Sequence, residues 1–180
     1  MHRFLRTASL GDLMALGSMA AADPSREAVV ETYADIAEAV YYDSLAGARA
    51  LQTAVAAFLS APSDETLAAA RTAWLASRVS YQQSEAFRFG NAIVDDWEGK
   101  VNAWPLDEGF IDFVDPSYGA ATDVNAYAAF NIVANPALTI AGQSIDAATI
   151  SPELIAETLN EADGIETNVA RGYHAIEFLL

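Results

Sequence analysis

The chain contains no cysteine. That excludes disulfides, thiolate metal sites and a cysteine nucleophile, and it excludes the acylated cysteine of a lipid anchor. Cations are scarce too. Nine Lys and Arg stand against 25 Asp and Glu, for a formal net charge of -16, and Lys100 is the single lysine. Such a surface repels a phosphate backbone, which argues against nucleic acid as a partner, and it is a poor match for an anionic bilayer. It either concentrates cations or only keeps the protein in solution. No stretch beyond residue 22 is long and apolar enough to form a transmembrane segment. Histidine is almost missing, with His2 and His174 alone.

What is abundant is apolar and helix-forming. Apolar residues make up 53% of the 180 positions, enough for a folded domain with a sizeable core, and alanine dominates them. Residues 1–22 read as a signal peptide: a basic start at His2, Arg3 and Arg6, an apolar run from Leu10 to Leu16 interrupted by Asp12, and small residues at Ala20-Ala21-Ala22. The domain is then 23–180. Val29, Tyr33, Ile36, Val40, Leu51, Val55 and Phe58 follow a helical spacing, which predicts a long amphipathic helix from about Ser25 to Ser60. Ala61-Pro62-Ser63 breaks it, and Ser63 or Asp64 caps a second helix expected to run to about Phe89 and to pack antiparallel on the first. Residues 90–122, punctuated by glycine and proline, read as an ordered connection with short helical turns near Asp107–Val114. Further helices are expected over Asp123–Val133, from Ser151-Pro152-Glu153 to about Gly164, and from about Glu166 onward. No long strand period occurs, so the fold class reads as all-α, an up-down helical bundle.

Two patterns carry chemistry. Trp74, Arg78, Tyr81, Glu85 and Arg88 are spaced 4, 3, 4, 3 and share one helix face. That face is either a pocket lined by aromatic rings with convergent charges or a solvated ladder of ion pairs. Near the end, Gly172-Tyr173-His174-Ala175-Ile176-Glu177 places an imidazole and a carboxylate at i and i+3. They point to one side, as chelation of one cation or a packed hydrogen-bonded pair requires. Once His2 leaves with the signal peptide, a single imidazole remains, so a two-histidine zinc-peptidase site cannot be built from this chain alone, and no His-Glu-x-x-His occurs. One imidazole with carboxylates suits a harder cation such as iron or calcium. The candidate carboxylates are Glu177 and Glu85, then Asp96 and Asp112, with Asp95 and Asp107 also near.

The closing run from Val169 through Gly172, His174 and Glu177 to Leu180 resembles the imelysin signature. The resemblance extends to Trp74 through Tyr81, Ser84 through Phe89, Asp95-Asp96-Trp97-Glu98-Gly99 and Val101 through Glu108. It implies an exported bacterial protein of the periplasm or cell envelope, built from two helical-bundle lobes with a site between them at Gly-x-His-x-x-Glu. Founding members of that family were described as insulin-cleaving metallopeptidases, and relatives are periplasmic parts of iron-uptake systems. The resemblance also implies that this chain is the first lobe of a longer, here truncated, fold, and the uncapped apolar run of Ile176, Phe178, Leu179 and Leu180 predicts an exposed apolar edge there. The reading is a metal-binding envelope protein linked to iron uptake. It would bind a metal cation, iron being the candidate, through His174, Glu177 and Glu85. Trp74, Arg78, Tyr81, Arg88, Trp104, Asp107 and Gly172 would line the pocket, and envelope iron-transport components would be partners. The alternatives are an envelope metallopeptidase and a non-catalytic interaction module.

Overall fold

The computed structural model describes residues 23–115, 117 and 125–180. The expected signal peptide and the start of the helix expected from Asp123 lie outside them. The long first helix forms as its spacing predicts: α1 spans Arg26–Ser60, and the Ser25 side chain caps it by accepting from the Ala28 N–H. At 1.5 Å per residue it is about 52 Å long. The second helix, α2, spans Asp64–Gln83, where Ser63 and Thr66 exchange side-chain and backbone hydrogen bonds in a capping box.

The two helices run antiparallel. Gly47 lies opposite Ser77, and the Tyr33 ring meets the Phe87 ring at 5.1 Å. Position thus falls along α1 as it rises along α2. A methyl on Gly47 would sit 3.1 Å from the Ser77 Cα, so glycine sets the closest approach of this pair. Much of the rest of α1 is bare. Only Ser44 and Leu51 are buried in it, whereas Val29, Tyr33, Ile36 and Leu59 are all more than half exposed.

The second helix ends earlier than its polar–aromatic stripe suggests. A 3-10 turn, Ser84–Phe87, follows it. Residues 90–115 hold more regular structure than expected. A helix, α3, spans Ala92–Val101 with Gly99 inside it, and a single turn, α4, spans Glu108–Ile111 within the expected segment. Over the described residues from 125 onward, the helix expected up to Val133 does not form. Residues 125–134 form successive turns instead, held by the Asn125 and Asn131 side chains accepting backbone N–H groups.

The all-α fold class holds, with one small β-hairpin added to it. β1, Ala137–Ile140, pairs antiparallel with β2, Gln143–Asp146, in a register of Ala137 with Asp146 and Ile140 with Gln143. Its two-residue turn is Ala141-Gly142, both at positive φ, the backbone that a tight hairpin requires. Beyond it Ser151 caps a turn as expected. That turn is a π-helical segment, Leu154–Leu159, followed by left-handed residues at Glu161 and Asp163. Among the described residues the architecture is still dominantly helical, and no helix is long and apolar enough to cross a membrane.

Two cores result. The larger gathers Phe110, Ile132, Leu138, Ile140, Ala147, Leu159 and Ala162 around the hairpin. The smaller joins Leu51 of α1, Tyr81 of α2 and Tyr173 of the last helix, α5, which spans Tyr173–Leu179. That helix begins seven residues later than Glu166. Thr167 and Asn168 are diverted into a polar network: the Asp107 carboxylate accepts from Thr167 Oγ1 at 2.6 Å and Asn125 Nδ2 at 2.5 Å, and Asn168 Oδ1 accepts from Asn125 at 2.8 Å. Asn125 and Asn168 are both buried, so the network satisfies groups that would otherwise lose water without replacement.

Candidate functional site

The site begins with Gly172. Its φ is +89°, and a Cβ there would lie 2.6 Å from the Val101 carbonyl oxygen. Only glycine lets the start of α5 press against the C-terminal end of α3. The space that the sequence suggests beside His174 is therefore filled by backbone.

The next residue, Tyr173, turns inward. Its carbonyl accepts from the Trp74 indole N–H at 2.9 Å, and its ring lies 4.9 Å from that of Tyr81. Arg78 sits in the resulting aromatic cage, with its guanidinium 4.9 Å from the Tyr173 ring, 5.2 Å from Tyr81 and 5.8 Å from Trp74. One N–H of Arg78 donates to Asn102 Oδ1 at 2.5 Å, and the Asn102 amide donates to Glu98 at 3.2 Å. The four neighbours of the guanidinium are thus three aromatic rings and one amide. The stripe on α2 is a cage rather than a ladder of ion pairs. The hydroxyl of Tyr81, buried against this cluster and near Glu98, has its pKa pushed up to about 12.

His174 and Glu177 face the other side of α5. Nδ1 of His174 lies 3.0 Å from Oε2 of Glu177, the imidazole is 17% exposed and the carboxylate 50%. The Trp104 ring, itself mostly exposed, covers the imidazole at 4.9 Å. With Nδ1 engaged by the carboxylate, Nε2 is the free ring nitrogen. A carboxylate that accepts from Nδ1–H in this way orients the ring and leaves Nε2 as the donor to a cation.

The other expected ligands are elsewhere. Glu85 borders a cleft with Arg88, Phe89, Gly90 and Asp95, whereas Glu177 borders one with Arg71, Trp74, Leu75 and Leu180. Trp74 touches Tyr173, and Glu85 lies eleven residues further on, roughly 16 Å along the helix axis. The 3-10 turn also rotates Glu85 off the stripe, since three residues per turn replace 3.6. Arg88 pairs with Asp95 at 3.3 Å and Glu98 at 3.4 Å. Asp96 is exposed on α3, Asp112 accepts the Phe113 N–H, and Asp107 is committed to its network. Among the described residues, no three His, Asp or Glu side chains converge as a metal cluster. His174 and Glu177 are paired with each other, and Glu85, Asp96 and Asp112 do not join them in a cluster.

Sequence reasoning missed Asn102, the partner of Arg78, and the buried Asn125, Thr167 and Asn168. Asn102 is inside the Val101-Asn102-Ala103-Trp104 block singled out by resemblance. The other three carried no sequence signal, because their partners are distant in the chain.

A family model described as imelysin matches residues 37–180. Over 67 residues the chain is 37% identical to the iron-regulated protein A of Synechococcus elongatus, a stretch covering 37% of this chain and 19% of that protein's length.

Proposed function

The chain belongs to the imelysin family, and from that premise we propose that it is an exported envelope protein that takes up a metal cation at His174, in service of iron acquisition. The observation that carries this reading is the oriented imidazole: the only histidine of residues 23–180 is held by Glu177 at Nδ1 and part-covered by Trp104, leaving Nε2 to act as donor. The iron-regulated relative supports the choice of metal. The described residues fit a cation in part. One nitrogen, Nε2 of His174, is in place with Glu177 orienting the ring from Nδ1, and further coordination would come from water or from another segment or protein. A single protein donor favours a labile site, as expected of a protein that passes a metal on to envelope transport components.

Calorimetric titration of the protein with Fe(II), Fe(III), Mn(II), Zn(II) and Ca(II) tests this. Saturable iron binding that His174→Ala reduces by at least about tenfold, with no change in the melting curve, is the expected outcome. Indifference to all five cations would remove the proposal. Metal-dependent cleavage of a protein substrate, lost in the same variant, would replace it with the peptidase alternative.

A further inference from the structure

A cavity of about 600 Å³ opens between α1, α2, α3 and the inner side of α5. Its walls include Leu45, Ala48 and Leu51 of α1, Trp97 of α3 and Ile176 of α5, and no charged residue lines it. In a chain with a net charge of -16, this freedom from charge on a concave surface is itself a signature of a neutral occupant. Two hydroxyls on the α1 wall lack partners. Ser44 is 7% exposed and makes no hydrogen bond among the described residues. The Tyr41 hydroxyl, one turn away, is buried without a partner, and that burial raises its pKa. Buried hydroxyls are normally satisfied, so the unmet one of Tyr41, with the unbonded Ser44 hydroxyl one turn away, marks where a ligand oxygen would be read.

The size discriminates between occupants. A docked helix about 10 Å across would fill this volume in fewer than about two turns. A compact molecule fits it whole, since small-molecule sites span about 300–1,000 Å³. We propose that this cavity is a binding site for a neutral, largely apolar small molecule that carries a hydrogen-bonding oxygen, recognised by Ser44 and Tyr41. The site is separate from His174, which points to the opposite side of α5, and does not depend on the cation reading.

The test uses N-phenyl-1-naphthylamine, a neutral dye that brightens in apolar surroundings, with the full-length protein. The expected result is saturable uptake at one dye per chain. Ala48→Phe and Ala56→Phe, at exposed α1 positions that border the cavity, fill it from two places and should each weaken uptake by at least about tenfold without lowering the melting temperature. If one variant fails to fold, the other decides. Ser44→Ala should weaken displacement of the dye by 1-naphthol several-fold and leave displacement by naphthalene unchanged. Absence of saturable uptake, because another segment of the protein fills the space, overturns the proposal. So does uptake indifferent to both filling variants, or dye displaced as the protein dimerises in sedimentation runs, which would make a second copy the occupant.

Discussion

The helical hairpin of α1 and α2 and the compact region formed by residues 107–115 and 125–170 solve the same problem in opposite ways. In the hairpin, neighbours in space follow the helix period, and burial is thin: two residues of 35 in α1 are buried. In the compact region the elements are short and irregular, yet Phe110, Leu159 and Val169 are at most 1% exposed. Regular secondary structure is therefore not where this protein is best packed. The difference teaches that the hairpin supplies reach and faces, while the region around the β-hairpin supplies rigidity. Gly172 lies at the seam between them.

The largest expected effect is in the compact core. Phe110→Ala should cost about 3–5 kcal/mol, because the site has no free side into which to relax. Leu51→Ala in the hairpin should cost nearer 2 kcal/mol, since the adjoining cavity already leaves part of that side chain without partners. Urea denaturation of both variants checks the order. Equal losses would mean that the two regions are packed alike and would break the comparison.

The seam comes next. Gly172→Ala must adopt a φ of +89° and place a methyl against the Val101 carbonyl, so a loss of about 3 kcal/mol is expected. His174 should move with the displaced helix. Its imidazole resonances, followed by NMR, should shift in this variant, and unshifted resonances would show that α5 is anchored from elsewhere.

How much of this was legible follows from the same contrast. The caps at Ser25 and Ser63 and the period of α1 are local signals, and the structure honours them. The Gly-x-His-x-x-Glu pair is local as well. Glu85 was misplaced because the stripe from Trp74 to Arg88 assumes one continuous helix, and a 3-10 turn intervenes. The β-hairpin escaped because its turn is Ala141-Gly142, with an alanine at positive φ in place of the usual asparagine. The late start of α5 escaped because Asp107, Asn125, Thr167 and Asn168 meet only in three dimensions.

A pH series sharpens the role of the cage that joins the regions. The Tyr81 pKa rises from 10.0 to about 12 through burial first and Glu98 second. Below pH 10 the phenol is protonated in both states. Between pH 10 and about 12 only the unfolded chain releases the proton, so stability falls as pH rises. The fall should approach roughly 2–3 kcal/mol across that window. Tyr81→Phe cannot titrate and should lose this part of the slope. Urea midpoints of both proteins from pH 9 to pH 12 would read the difference, and parallel slopes would mean that Tyr81 is more open to water than its 2% exposure indicates.

The smallest expected effect bears hardest on the comparison. Ile36 lies on the apolar stripe of α1, and the helical period alone would bury it. It is 52% exposed, among Val29 and Tyr33 at 53% each. If that face is solvated, Ile36→Gln exchanges a β-branched side chain for a better helix former and gives up little buried area. The two contributions oppose each other, so the net change should stay within about 0.5 kcal/mol. Paired denaturation curves at two protein concentrations measure it. A loss of 2 kcal/mol or more would show that the stripe is covered in solution. A loss that grows with concentration would identify the cover as a second copy. Either result would move the hairpin from scaffold to interface, whereas a flat response keeps its outer face as exposed as the structure shows it.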